Sequence, residues 1–126
     1  MLQVGLIGYG YWGPNLARNF NAHPGCKLAR IADMAPARRS AAAAAFPAAE
    51  VTDTADIAKA PDLDVIVVAT PVFTHHELAK TALEHGKHVW VEKPMTSTHA
   101  QARELTDIAR ERGLTLMVDH TFLFTG

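Results

Sequence analysis

The sequence has little of the features that mark several large classes of protein. Its single cysteine, Cys26, excludes an intramolecular disulfide, and no Cys/His spacing predicts a zinc site. No apolar run approaches the length of a membrane span, and residues 1–7 lack the pattern of a signal peptide. The formal net charge of -1 gives no indication of a nucleic-acid or membrane-surface partner. We therefore expect a cytoplasmic protein with no bound metal, no nucleic-acid partner and no membrane contact.

The chain also lacks the linkers, charge blocks and internal repeats that divide proteins into units, so we interpret residues 1–126 as one domain. Short apolar runs alternate along it with longer, alanine-rich stretches of helical spacing. The runs are rich in Val, Ile and Leu, as in parallel strands covered on both faces. The predicted strands are Leu2 to Ile7, Lys27 to Ala32, Asp64 to Ala69, His88 to Val91 and Thr115 to Val118, with a short edge strand near Val51.

Helices are predicted between these strands, and several have boundary residues of the expected kind. They are Pro14 to Ala22, Ala35 to Ala45, Thr54 to Lys59, His75 to His85 and His99 to Arg112. Capping boxes are predicted at Thr74 with Glu77 and at Thr98 with Gln101, and left-handed C-terminal caps at Gly86 and Gly113. Strands that alternate with crossover helices predict an α/β fold with a doubly wound parallel sheet.

A glycine-rich loop joins the first strand to the first helix. Gly8, Gly10 and Gly13 form G-x-G-x-x-G in the strand-to-helix context that a dinucleotide-binding loop requires. Gly8 would permit the tight turn, Gly10 would let the backbone approach a pyrophosphate, and Gly13 would let the helix pack closely on the sheet. Pro14 supports this placement, since proline is favoured in a first helical turn. Amide groups at the helix N-terminus would then face the phosphates.

Asp33 ends the second strand, twenty positions after Gly13. A carboxylate there can accept hydrogen bonds from the adenosine ribose and would repel a 2′-phosphate, which favours NAD over NADP. Arg38 and Arg39 lie one turn further on and could soften that preference. Two alternatives stay open at this point: Asp33 could merely cap the following helix, and S-adenosylmethionine methyltransferases also combine a glycine loop with an acidic residue after the second strand.

Three further segments carry a resemblance to a known family. They are Val91-Glu92-Lys93-Pro94 after the fifth strand, Ala69-Thr70-Pro71 after the fourth, and His75 shortly beyond. Together with the glycine loop, they make the whole chain resemble the N-terminal domain of the Gfo/Idh/MocA family, which includes glucose-fructose oxidoreductase and inositol dehydrogenase. Glu-Lys-Pro at a strand end is the family's most specific short motif and disfavours the methyltransferase interpretation.

The resemblance implies a role for each matching residue. The backbone of Gly10, Tyr11 and Trp12 would hold the pyrophosphate, and Asp33 the adenosine ribose. Ala69, Thr70, Pro71 and His75 would form the wall around the middle of the cofactor, and Glu92 would lie near the nicotinamide ribose. Lys93 would point between nicotinamide and substrate and carry the chemistry. In most family members the last strand leads to a polar residue that faces the nicotinamide, and here His120 and Thr121 are the candidates.

An independent physical argument supports Lys93. Ligands of open α/β sheets bind at the carboxyl ends of the strands, and Lys93 follows such an end directly. An ammonium group there can hydrogen-bond the hydroxyl being oxidised and stabilise the negative charge that develops on its oxygen. The alternative is a solvated lysine in a surface Glu-Lys pair, which would contribute little.

Residues 5–15 further resemble the branch of the family that acts on sugar nucleotides, such as the 3-dehydrogenases of UDP-linked N-acetylhexosamine acids. Asp119 departs from the family, in which a small residue is usual at that position. The resemblance implies an NAD-dependent dehydrogenase of a sugar or sugar nucleotide, homo-oligomeric at full length. Its C-terminal α/β substrate domain would lie outside these residues, so we expect the chain alone to be inactive. A stand-alone dinucleotide-binding module is the alternative.

Overall fold

A computed structural model of the chain describes residues 1–119. The described part contains one parallel sheet of six strands in the order β3-β2-β1-β4-β5-β6. The strands are β1 (Leu2–Ile7), β2 (Cys26–Ala32), β3 (Glu50–Thr52), β4 (Val65–Val68), β5 (His88–Glu92) and β6 (Leu116–Asp119). The α-helices are α1 (Gly13–Ala22), α2 (Pro36–Ala45), α3 (His75–Glu84) and α4 (His99–Arg112), and two short 3-10 helices span Ala55–Lys59 and Val72–Thr74. The predicted doubly wound Rossmann-type α/β fold is confirmed.

The central strands are apolar on both sides because both faces of the sheet are covered. Successive residues of β4, Ile66 and Val67, are both fully buried but belong to different core clusters, one on each face of the sheet. One cluster lies under α1 and α2 and includes Leu16 and Ala42, and the other lies under α3 and α4 and includes Leu83. The strand order reverses beside β1, and ligands of such sheets bind in the crevice at that point.

The ends of α4 follow the predicted local chemistry. The Thr98 hydroxyl accepts a hydrogen bond from the Gln101 amide at 3.2 Å, which satisfies one of the free N–H groups of the first turn. Gly113 ends the helix with a φ of 66°, and Gly86 follows α3 with a φ of 78°. Both glycines thus adopt the left-handed conformation that the sequence predicted for them.

One prediction about local structure was wrong, and another holds for the position of a helix but not for its type. Thr74 does not cap α3, because the 3-10 turn before it already gives Thr74 a helical backbone, whereas a capping residue is extended. Its hydroxyl donates to the Pro71 carbonyl at 2.7 Å. The predicted helix from Thr54 to Lys59 is a 3-10 helix over Ala55–Lys59. It ends there because Ala60 precedes Pro61 and takes the extended conformation that proline imposes on its predecessor.

No helix in residues 1–119 combines the length and the apolar character needed to cross a membrane. Across the same residues, no three His, Cys, Asp or Glu side chains are grouped so that they could hold a metal ion. The exposed-side contact of His76 is with α4, where its Nε2 lies 2.9 Å from Oε1 of Glu104.

Candidate functional site

A cleft of about 860 Å³ opens at the carboxyl ends of the strands, where the strand order reverses. Its volume lies within the range of roughly 300–1,000 Å³ that is usual for ligand pockets. Most of the predicted site residues line it: Gly8, Gly10, Tyr11, Trp12, Asp33, Arg38, Ala69, Thr70, Pro71, Glu92 and Lys93. The cleft therefore brings together segments that follow β1, β2, β4 and β5.

Two glycines of the loop after β1 are required by the protein's own packing. Gly8 has a φ of 101°, and a Cβ there would lie 2.7 Å from the carbonyl oxygen of Ala69. A Cβ on Gly13 would overlap the carbonyl oxygen of Gly8. Neither contact can be relieved by turning a side chain, since both neighbours are backbone atoms. These two positions therefore hold the loop tightly between β1, β4 and the start of α1.

Gly10 is different, because the space in front of it belongs to the cleft. A Cβ on Gly10 would approach only the guanidinium group of Arg38, at 3.4 Å from Nη1. Tyr11 and Trp12 follow, and their rings meet edge to face with centroids 5.5 Å apart. Tyr11 is 90% exposed at the mouth of the cleft. The loop thus presents bare backbone, flanked by aromatic rings, at the N-terminus of α1.

The carboxylate of Asp33 links the glycine loop to the start of α2. Oδ2 accepts a hydrogen bond from the Tyr9 amide at 2.7 Å, and Oδ1 accepts one from the Ala35 amide at 2.8 Å. The Ala35 amide belongs to the residue before α2, so Asp33 does not cap that helix as the alternative interpretation held, and its side chain also lines the cleft. Nη1 of the exposed Arg38 lies 3.9 Å from Oδ2, so a cation partly offsets this negative charge.

His75 does not line the cleft, which corrects the role predicted for it. The first residue of α3 points beneath the loops and is almost fully buried. Its Nε2 lies 2.7 Å from the Thr70 carbonyl oxygen and its Nδ1 2.9 Å from the Pro94 carbonyl oxygen. Carbonyl oxygens only accept, so both contacts are hydrogen bonds only when both ring nitrogens carry protons. His75 thus holds the loop after β4 against the loop after β5.

Glu92 and Lys93 form the end of the cleft at β5. Glu92 is only 9% exposed, and its Oε1 has no hydrogen-bond partner among residues 1–119. Burial, together with a hydrogen bond to Asp119 and the charge of that residue, raises the pKa of Glu92 to about 7, although Lys93 acts in the opposite direction. Lys93 is exposed to the cleft and is followed by a cis peptide bond to Pro94.

Asp119 lies at the end of β6, directly opposite Glu92 in the parallel pairing of β5 and β6. Its side chain faces that of Glu92, which gives this unexpected residue a place at the edge of the site. His120 and Thr121 lie outside the described residues.

Several lining residues were not predicted from the sequence. They are Met34, Asp53, Ala55, Phe73, Thr74, Glu77 and Leu78. Most follow β2, β3 or β4 within a few residues, so they share the carboxyl edge of the sheet. Met34 and Phe73 carry a usable signal, since both are large apolar side chains left mostly in solvent, and such side chains often mark a binding surface.

Comparisons with known proteins find a matching family and similar structures. Residues 2–120 match the Gfo/Idh/MocA family, described as "Oxidoreductase family, NAD-binding Rossmann fold". The uncharacterized oxidoreductase YdgJ of Escherichia coli is 41% identical over 125 residues, covering 94% of this chain and 34% of the relative. The dTDP-3,4-didehydro-2,6-dideoxy-alpha-D-glucose 3-reductase of Streptomyces antibioticus is 37% identical over 102 residues, covering 81% of this chain and 31% of the relative.

A similar solved structure is that of a mutant 3-ketoreductase from Actinomadura kijaniata in complex with TDP-benzene and NADP. It is 32% identical with a TM-score of 0.87, and the match covers 97% of this chain and 39% of that one. The chain spans about a third of the length of the curated relatives it matches.

Proposed function

Because this chain belongs to the Gfo/Idh/MocA family of oxidoreductases, we propose that its cleft binds NAD in one defined direction. The adenosine lies at the end of β2, the pyrophosphate on the glycine loop and the nicotinamide at the end of β5. Residues 1–126 then form the cofactor-binding domain for hydride transfer between a secondary alcohol of a sugar or sugar nucleotide and the nicotinamide. The observation that supports this most is that Gly10, Asp33 and Lys93 line a single cleft.

The pyrophosphate fits the loop at Gly10 for a steric reason. Only the mobile end of Arg38 stands near the missing Cβ, so a phosphate oxygen can approach the backbone there. The amides of Gly10, Tyr11 and Trp12 lie just before and at the start of α1, a helix of 10 residues whose N-terminus favours negative charge. The nearby guanidinium group of Arg38 adds a second source of positive potential.

Asp33 is the basis for proposing NAD over NADP. Its buried carboxylate is fixed by two amides at the adenosine end and carries a negative charge that would repel a 2′-phosphate. Arg38 lies 3.9 Å away and weakens this repulsion without removing it, because its side chain is largely in solvent. We therefore expect NADP to bind, but more weakly than NAD.

Lys93 is the residue we propose to act on the substrate. The bound cofactor supplies the hydride acceptor. The Lys93 ammonium group lies in the same cleft, where it can hydrogen-bond the substrate hydroxyl and stabilise charge on its oxygen as the hydroxyl is oxidised. A sugar nucleotide is the proposed substrate class because the relative from Streptomyces antibioticus is a reductase of a dTDP-linked sugar. The remaining acid–base groups would come from outside this domain.

Calorimetric titration of the 126-residue chain with NAD, NADP and S-adenosylmethionine tests this proposal. We expect one site that binds NAD more tightly than NADP and does not bind S-adenosylmethionine. We also expect no steady-state turnover of UDP- or dTDP-linked sugars by the chain alone, so turnover would show that the substrate machinery is already complete here. Tight binding of S-adenosylmethionine would overturn the proposal. If NAD binds but is not used as a cofactor in any sugar oxidation, the alternative of a stand-alone dinucleotide-binding module would be favoured.

A further inference from the structure

We propose that Glu92 and Asp119 together bind one proton beside the nicotinamide, and that gain and loss of this proton follow the charge of the bound dinucleotide. The inference rests on the proposed function, because it needs the nicotinamide to lie at the β5 end of the cleft. The cofactor-binding interpretation places Glu92 near the nicotinamide ribose but gives no role to its pairing with Asp119.

The pairing of β5 with β6 places the two carboxyl groups side by side. Glu92 is opposite Asp119 in the parallel register, at the last residue of each strand. Their side chains face each other within reach of a hydrogen bond, and two carboxyl groups can form such a bond only when one of them is protonated. The fold therefore favours a pair that holds a single proton and a single negative charge.

Glu92 also has one buried carboxyl oxygen, Oε1, that accepts no hydrogen bond from residues 1–119. The residue is 91% buried, since 9% of it is exposed, yet it lines the cleft, and its Oε1 has no partner among the described residues. A buried carboxyl oxygen without a hydrogen bond is costly, so this atom is satisfied best when a ligand group or an ordered water donates to it. Its place beside Lys93 makes the nicotinamide end of the cofactor the nearest proposed ligand.

The charges around the pair decide how readily it gives up its proton. Asp119 on β6 disfavours a second negative charge, and Lys93 at the end of β5 favours one. From α3, His75 reaches the Pro94 carbonyl, two residues beyond Glu92. The balance raises the pKa of Glu92 to about 7, so the pair can change protonation state near neutral pH. A nearby positive charge would favour the doubly ionised pair.

Oxidised and reduced dinucleotides differ in this respect. The nicotinamide ring carries a positive charge in NAD⁺ and none in NADH. NAD⁺ should therefore favour loss of the shared proton, and NADH should favour its retention. By reciprocity, raising the pH should strengthen NAD⁺ binding relative to NADH binding. The pair would thus act as a proton store that responds to the redox state of the cofactor.

Titrations of NAD⁺ and NADH into the 126-residue chain test this inference without requiring turnover. We expect the dissociation constant of NADH, divided by that of NAD⁺, to rise several-fold as the pH is raised from one unit below to one unit above about 7. The ceiling is about tenfold per pH unit for one linked proton. In Glu92→Gln the ratio should be independent of pH. In Asp119→Asn the change should move to lower pH, because the neighbouring negative charge is gone. Glu84→Gln, at the exposed end of α3, is the matched control and should behave like the unchanged chain.

The results separate the two proposals. If both nucleotides bind with a ratio that does not depend on pH, the proton pair is refuted and the proposed function stands. If neither binds, the proposed function fails and this inference fails with it. A carboxyl carbon-13 titration of the unchanged chain covers the case in which the variants do not fold. Glu92 should titrate near pH 7, at higher pH with NADH and at lower pH with NAD⁺. Equal midpoints with the two nucleotides would contradict the inference.

Discussion

Substituting Gly10 by alanine should separate cofactor binding from folding. Here the three glycines differ. Gly8 and Gly13 face backbone atoms at distances that exclude a Cβ, whereas Gly10 faces the cleft and the flexible end of Arg38. We therefore expect Gly10→Ala to fold and to bind NAD weakly.

The size of each effect follows from these contacts. A Cβ at Gly10 would lie 3.4 Å from Arg38 Nη1, which the exposed side chain can relieve by a small rotation. The free energy of unfolding should then change by less than about 1 kcal/mol, since Gly→Ala at a compatible backbone position is worth about 0.4–1 kcal/mol. Loss of one amide hydrogen bond to the pyrophosphate, worth about 1.5–3 kcal/mol, would weaken binding roughly ten- to a hundredfold.

Calorimetric titration with NAD and urea denaturation of the same samples measure both quantities. Gly13→Ala is the contrasting variant, because its Cβ would overlap the Gly8 carbonyl oxygen and force α1 away from the sheet. We expect it to lose at least 1–3 kcal/mol of stability, as roughly found for overpacked sites. Gly25→Ala is the matched control, since that glycine lies in the turn before β2 and meets only the His23 side chain.

Unchanged NAD affinity in a folded Gly10→Ala chain would refute the assignment of the loop as the phosphate site. The opposite failure, a Gly10→Ala chain that does not fold, would show that Gly10 has a packing role that the space around it does not predict. Weakened binding in Gly25→Ala would show that the affinity responds to general loss of stability.

Three further predictions concern the other parts of the site. Asp33→Asn should improve NADP binding relative to NAD binding by roughly tenfold, because one negative charge near the 2′ position is removed. Arg38→Ala should weaken NADP binding relative to NAD binding. The ratio of the NADP and NAD dissociation constants measures both effects. His75→Ala should lower the free energy of unfolding in urea by about 2–4 kcal/mol, since a buried ring and its polar contacts with two loop carbonyls are lost. A loss below about 0.5 kcal/mol would contradict the tie between the two loops. The pKa of Glu92 in the folded chain is about 7 against an ordinary 4.5, so the folded state binds more protons in that window and stability falls as pH rises through it. Glu92→Gln should therefore gain up to about 3 kcal/mol over the unchanged chain at pH 8 and none near pH 4.5, and an equal difference at both pH values would contradict the shift.

The sequence was a good guide where one local rule acts alone. Apolar runs located the strands because a parallel sheet covered on both faces needs them, and Gly113 and Thr98 marked helix ends by their own backbone and side-chain chemistry. The prediction that Thr74 caps a helix failed because two local tendencies, capping and turn formation, compete at that position. The capping pattern was present, but the turn after Pro71 had already made the chain helical before Thr74 was reached.

The site residues likewise divide into those that a local pattern predicts and those that depend on contacts formed only after folding. The sequence placed Glu92 and Lys93 at the end of a strand. Because ligands of such sheets bind at the carboxyl ends of the strands, both could be predicted as site residues. The burial of His75 could not, since it depends on two loops that meet only after folding. Likewise, the pairing of Glu92 with Asp119 depends on the register of β5 against β6, which no local pattern specifies. Both features matter for the chemistry proposed here.

The most direct test of the central claim is a crystal structure of this chain with bound NAD. We expect the pyrophosphate on the amides of Gly10 to Trp12, the adenosine ribose near Asp33, and the nicotinamide beside Glu92 and Lys93. A dinucleotide bound in the reverse direction, with its adenine at Lys93, or one bound outside this cleft, would contradict this claim.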